Sequence, residues 1–456
     1  MGHANYELYN LQQWQEYLLA LHPKEIDLGL ERVQIVYERL NINSPAIKIV
    51  VGGTNGKGST CALLEAILLA AGYRVGVYSS PHLVAFNERF RINGKLPEDA
   101  ELCAHLSAVE AQRGTTSLTF FEHTTLAALH LFAQSQLDVW LLEVGLGGRL
   151  DAVNVIDGDC SVLTQIDVDH QDYLGADREQ IGAEKAAIFR SGRPAICADP
   201  NPPQSILDYA KQIQAPLWVM DRDFSVHADM QQWQYRGPIR RRSALPYPAL
   251  RGANQLPNAA TALAVLDALS DRLVVPMQDI KQGLLNVHLE GRFQIVPGQP
   301  TVILDVGHNP HALRSLAYNL QQIPTTGRTI AVLGMLKDKE VVHALRPLTH
   351  EIDLWLCASI AGPRGLDAQL LSSFVKQAYT AAENLAINPS THVISSRPTV
   401  RPRTAPTQPK SPEIRCFDSV TQAFQAAQRL STVNDKIVVF GSFMTVGPVL
   451  AQIKAG

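Results

Sequence analysis

Several absences narrow the reading at once. No apolar run reaches the ~18 residues that a membrane-spanning helix needs, and the opening MGHANYELYNLQQWQEYL has no apolar signal core. Gly2 does not make a myristoylation site, because Tyr6 stands where Ser or Thr is wanted. The chain is therefore expected in the cytoplasm, with no membrane partner. Basic charge is not in excess: the formal net charge is -3 and the sequence pI is near 6.5. A nucleic-acid footprint needs clustered Lys and Arg, so none is expected, although a local basic pocket for small anions is allowed. Of the six cysteines, Cys61, Cys103, Cys160, Cys197, Cys357 and Cys416, none forms a CxxC pair or a His/Cys metal spacing. They read as small buried hydrophobes of a reducing compartment. No internal repeat is found, and no Ser–His–Asp signature asks for a protein nucleophile.

The 456 residues are 46% hydrophobic, which is more than one core usually holds, so two domains are expected. Short apolar runs alternate with helical patterns: Ile47–Val51, then a helical stretch Ser59–Ala71, then Arg74–Tyr78, Asp138–Val144 and Ser161–Ile166. Such alternation implies an α/β fold with a doubly wound, mostly parallel sheet. Pro297, Gly298 and Pro300 interrupt the chain, and a second βα series follows at Thr301–Val306, Thr329–Leu333, Leu354–Ala358 and Lys436–Phe440. Residues 1–296 are read as a nucleotide-binding domain and 297–456 as a smaller α/β domain. Within the latter, 388–412 is rich in proline and basic residues and poor in apolar ones, and reads as a flexible surface insertion.

The strongest chemical signal is GGTNGKGST, Gly52–Thr60, between a strand and a helix. Glycines there let backbone N–H groups close on phosphate oxygens, and the helix N-terminus favours negative charge. Thr54, Asn55, Gly56, Lys57, Gly58 and Ser59 are the candidate phosphate contacts, with Lys57 reaching the terminal phosphates and Ser59 or Thr60 offering a hydroxyl toward Mg²⁺. The spacing departs from GxxxxGK[ST], since Val51 takes the place of its first glycine.

GTNGKGS resembles the short phosphate-loop variant of the Mur ligase superfamily. The series continues with VGVYSSPHLVAFNERFRING, LTFFEHTTLAAL, LLEVGLGGRLDAVNV, DVDHQDYLG and IGAEKAAIFR. It runs on through PNAATAL, LEGRFQIV, ILDVGHNPHAL, GMLKDK and GSFMTVG. In order and spacing it is similar to the bacterial folylpolyglutamate synthase/dihydrofolate synthases, over nearly the whole chain except the Pro-rich segment. The resemblance implies a P-loop central domain and a Rossmann-like C-terminal glutamate-ligase domain. It further implies an ATP-dependent ligase that joins L-glutamate to dihydropteroate and to reduced folates through an acyl phosphate, and that acts as a monomer.

It also implies roles. Ser80, Glu143 and His170 ligate magnesium, in two sites, and Lys185 is carboxylated by CO₂ to support a metal. Read alone, Glu143 ends a strand at the edge where open α/β sheets bind ligands, His170 is an unusual Mg²⁺ ligand, and Lys185 is a solvated helix lysine. Asn258, Arg292, Asp305 and His308 match ATP-contacting positions, so that ATP is expected between the domains. Thr119, Phe120, Phe121 and Glu122, with Leu150, Asp151 and Ala152, match the pterin contacts, and His22 and Asp27 close over that ring. Two other readings stay open: a superfamily ligase with one folate activity or a cell-wall substrate, and a P-loop protein that uses nucleotide only to change shape.

Overall fold

The computed structural model describes residues 6–323, 325–387 and 412–455. Apart from Pro412, the Pro-rich segment lies outside the described residues. The chain divides into two compact units, Met1–Leu250 with Asn254–Leu289, and Arg251–Ala253 with Glu290–Gly456. Among the described residues, no helix is long and apolar enough to cross a membrane.

The first unit is built on a seven-stranded sheet. Its strands are β1 (Ile47–Gly52), β2 (Val75–Tyr78), β3 (Phe90–Ile92), β4 (Val139–Glu143), β5 (Cys160–Leu163), β6 (Ala195–Cys197) and β7 (Leu217–Val219). The order is β3-β2-β4-β1-β5-β6-β7, parallel except for the edge strand β3. Successive residues of a strand face opposite ways. Ile47, Ile49 and Val51 therefore enter one core and Val50 another, with Leu141 and Leu142 divided in the same manner. Burial on both faces is why these strands read as unbroken apolar runs. Each such side chain, once buried, contributes about 1.5–3 kcal/mol.

From β1 the chain moves to β2 on one side, and later to β5 on the other. Ligands of open α/β sheets bind outside the carboxyl ends of strands at such a reversal. Here it brings Gly52, Glu143 and Leu163 to one edge, since Val51 pairs with Glu143 and Gly52 with Leu163.

A small antiparallel sheet, β8 (Ser225–Ala228), β9 (Trp233–Arg236) and β10 (Arg241–Leu245), follows. Trp233, Tyr235 and Leu245 are buried, and Arg242 Nη2 lies 2.6 Å from Asp267 Oδ1 on the helix Gln255–Ala268.

The second unit holds β11 (Gln294–Val296), β12 (Thr301–Asp305), β13 (Thr329–Leu333), β14 (Leu354–Ala358), β15 (Glu413–Phe417) and β16 (Lys436–Phe440). Their order is β11-β12-β16-β13-β14-β15, parallel but for β11. The sequence reading put the boundary after Val296, whereas the units divide at Leu289/Glu290. The reason is local: β11 pairs antiparallel with β12, so Pro297–Pro300 is a hairpin turn within the second unit.

Candidate active site

The phosphate loop leaves β1 at Gly52 and becomes the helix Lys57–Ala70. Gly53 takes φ 133°, and a Cβ there would collide with Thr164 Oγ1, so only glycine fits. The loop is fastened to the segment after β5. Thr54 N donates to Gln165 O at 2.7 Å, Thr54 Oγ1 to Asp167 O at 3.0 Å, and Asn55 bridges Gln165. Asn258 stands beside it, 2.7 Å from where a Cβ on Gly56 would be. Lys57 is not held out on a solvent-exposed loop. It is the first residue of the helix, half-buried, and its Nζ donates to Gly53 O at 3.0 Å.

Lys185 converges on the same carbonyl. It lies in the last turn of the helix Arg178–Ala186, is 4% exposed, and donates from Nζ to Gly53 O at 3.2 Å. Burial, with the Lys57 ammonium beside it, holds its pKa down to about 7. The solvated helix lysine that the bare sequence suggests is thus not what folds. The GGRL loop packs on this helix, with Arg149 N donating to Glu184 O at 2.9 Å.

Glu143 ends β4 and is 4% exposed, and Ser80 N lies 3.3 Å from its Oε2. Helix residue Thr60 buries a hydroxyl that has no hydrogen-bond partner among the described residues. His170 takes a left-handed conformation, φ 53°, before the short helix Gln171–Leu174, with Nε2 4.0 Å from Asp169 Oδ1. Among the described residues, no group of three or more His, Cys, Asp or Glu is placed to hold a metal. The oxygen donors of Glu143 and Ser80 suit Mg²⁺, a hard cation that usually takes one or two protein carboxylates and completes its shell with water and phosphate.

On the acceptor side, Thr119 caps the helix Phe120–Gln134. Thr119 Oγ1 accepts from Glu122 N at 3.2 Å, and Glu122 Oε2 accepts from Thr119 N at 2.7 Å. This reciprocal cap satisfies two donors that a helix start leaves free. Glu122 also receives Arg32 Nη2 at 2.9 Å, and Arg32 Nη1 lies 2.8 Å from Asp27 Oδ2. His22 joins through Nε2 to Asp27 at 3.2 Å and through Nδ1 to Ser117 Oγ at 2.7 Å.

Phe120 and Phe121 are half-buried, and the Phe121 ring packs on Gly145. Asp151 is 2% exposed and caps the turn Ala152–Val155. Its Oδ1 accepts from Val153 N at 3.0 Å and its Oδ2 from Leu146 N at 2.8 Å. Burial pushes its pKa up to about 6 against these hydrogen bonds. Leu150 is half-buried and Ala152 buried beside it.

In the second unit, Asp305 ends β12 and accepts from Phe293 N at 3.0 Å and Gly307 N at 2.7 Å. His308 Nδ1 is 2.9 Å from Val306 O. Arg292 stacks on Phe443, its guanidinium carbon 5.0 Å from the ring centre. Sequence reasoning passed over Arg32, Arg89 and Phe443. Arginine is ordinarily a surface residue and Phe a core one, so only their contacts distinguish them. FNERFRING and GSFMTVG had nonetheless marked the neighbourhoods of the last two.

The chain matches the family model of the Mur ligase middle domain over residues 51–221, and that of the Mur ligase glutamate ligase domain over residues 291–443. It is 44% identical over 447 residues to the dihydrofolate synthase/folylpolyglutamate synthase of Escherichia coli (strain K12), covering 98% of this chain and 96% of that protein. A solved structure of E. coli FolC in complex with DHPP and ADP superimposes with a TM-score of 0.87 at 42% identity, covering 98% of this chain and 99% of that one. A bifunctional folylpolyglutamate synthase/dihydrofolate synthase with Mn, AMPPNP and L-glutamate bound gives 0.84 at 43%, with coverage of 98% and 99%.

Proposed function

The chain belongs to the bifunctional dihydrofolate synthase/folylpolyglutamate synthases of the Mur ligase family, and from this premise we infer an ATP-dependent acid–amino-acid ligase that adds glutamate to dihydropteroate and to folates. The observation that carries the reading is the meeting of Lys57 and Lys185 on the Gly53 carbonyl, at the sheet edge that also holds Glu143.

The acceptor carboxylate attacks the γ-phosphorus of ATP, ADP leaves, and an acyl phosphate forms. The α-amine of glutamate then attacks the acyl carbon, and phosphate leaves. The protein supplies position and charge, as in other phosphoryl transfers. Thr54–Ser59 cradle the phosphates, and Lys57 neutralises their charge. Asn258, Arg292, Asp305 and His308 are the nucleotide contacts. Thr119–Glu122 and Leu150–Ala152 line the acceptor's side, with the Phe rings offering flat apolar contact to a heterocycle. Ser80, Glu143 and His170 are the residues that would hold Mg²⁺, which when bound screens phosphate charge. A relative binds Mn together with a nucleotide analogue. Lys185, buried and with its pKa held down to about 7, has near that pH a substantial share of the free amine that attack on CO₂ requires. Its carbamate would turn a cation into an anion beside the metal residues.

The test is a coupled phosphate-release assay of the full chain with Mg-ATP, comparing dihydropteroate with tetrahydrofolate. Release is expected with either acceptor and only when glutamate is present. Release indifferent to acceptor and glutamate would instead mean a nucleotide switch.

A further inference from the structure

Between β2 and β3 lies a buried cation that the roles above leave unused. Arg89 ends the turn Phe86–Arg89 and is 9% exposed. Its Nε donates to His82 Nδ1 at 2.9 Å. Its guanidinium carbon stands 5.1 Å from the centre of the Phe120 ring and 5.9 Å from that of Phe86. Among the described residues no carboxylate forms an ion pair with it.

The nearby acids are otherwise engaged. Glu88, the preceding residue, accepts the N–H groups of Leu83, Val84 and Ala85 at 2.6, 3.0 and 2.8 Å. Glu65 is taken by Arg91 at 2.9 Å. His82, whose ring nitrogen accepts from Arg89, offers no negative charge. Glu143 reaches Arg89 only through its longer-range field.

A guanidinium withdrawn from water without a counter-ion is costly unless an anion completes it. Its planar fork matches a carboxylate. Phe120, which stacks on it, opens the helix that carries the candidate heterocycle contacts, whereas the phosphate loop has its own donors on other elements. A flat acceptor ending in a carboxylate suits this combination of ring and guanidinium.

We propose that Arg89 is a substrate-binding residue that receives the acceptor's carboxylate, its guanidinium pre-oriented by His82, Phe86 and Phe120. The inference rests on the ligase reading and adds a residue to it.

The test uses the full chain with Arg89→Met and Arg89→Lys, and two ligands: dihydropteroate and its carboxylate-free analogue. Binding of each is titrated at equilibrium, and KM is measured for dihydropteroate and ATP. Arg89→Met should weaken dihydropteroate about tenfold or more, the loss of one charge-assisted contact. The analogue and the KM for ATP should change less than about twofold, because neither ligand group meets Arg89. Arg89→Lys should recover part of the loss, since it keeps the charge without the fork.

Equal weakening of both ligands would overturn the proposal by reducing Arg89 to pocket shape. So would unchanged binding, or an effect on ATP alone. If Arg89→Met does not fold, the same two-ligand comparison on Arg89→Lys decides: selective weakening of dihydropteroate supports the proposal and equal change overturns it. Failure of the ligase reading is visible separately, as wild-type protein that releases no phosphate with acceptor and glutamate.

Discussion

Lys185 carries its chemistry through burial. In the folded chain its pKa is held to about 7, against an ordinary 10.5 once unfolded. Between those values the unfolded chain binds a proton that the folded chain does not, so stability rises with pH across that window. Below about pH 7 both states are protonated and the penalty is complete. Each pH unit of that difference carries about 1.4 kcal/mol. Lys185→Met should therefore be more stable than wild type near pH 7 in CO₂-free buffer, with a flatter stability profile up to pH 10, and should turn over poorly. Denaturation midpoints across pH and phosphate release check both, and full turnover would leave the lysine only a structural role.

Asp151 is a contrasting residue, because its oxygens already serve Leu146 N and Val153 N. Asp151→Ala should cost about 1–3 kcal/mol by stranding those donors. Acceptor titration separates the roles: unchanged binding in a less stable protein would make Asp151 a loop fastener alone. The burial of Lys185 could not be read from sequence spacing, since it depends on what tertiary packing sets alongside.

At the scale of elements, the helix Phe120–Gln134 begins on a cap tied by Arg32 to the segment around Asp27. Arg32→Ala would leave Glu122, 4% exposed, without its cation. A loss of about 1–3 kcal/mol is expected, and thermal melting measures it. In the second unit Phe443→Leu should loosen Arg292 by ~0.5–2 kcal/mol and raise the KM for ATP, with Phe443→Tyr close to wild type. An unaltered KM in the leucine variant would make the stacking irrelevant to nucleotide binding.

The parallel strands were legible because burial on both faces leaves β-branched runs such as IKIVV and TIAVL. The small sheet β8–β10 was not legible, since Arg236 and Arg241 lie exposed among its few buried residues and no run forms. β11 falls on the first domain's side of the boundary read from sequence, because a Pro-Gly-Gln-Pro hairpin turn and a linker look alike in composition. Of the candidate site, the phosphate loop was readable from local chemistry. Ser80, His170 and Lys185 were not, and came only through resemblance.

For the whole molecule, every motif used above lies outside 388–412, which falls between the helix Ala368–Ile387 and β15. Replacing that segment by a short Gly/Ser bridge should leave turnover near wild type, and loss of activity in a protein with unchanged melting would show that it takes part in the reaction. The sheet order of the first unit has another consequence, one of time. Lys185 meets the Gly53 carbonyl across 132 residues of chain. At ~5–20 residues per second of synthesis, that stretch takes roughly ten seconds to emerge. For the greater part of that interval β1 is made but neither neighbour is complete, because β4 ends only at Glu143 and β5 follows it. Pairings this distant also slow refolding from denaturant, because loop closure must precede any contact that rewards it. The price of assembling this site from remote strand ends is a nascent chain in which an apolar strand, β1, waits for its sheet neighbours.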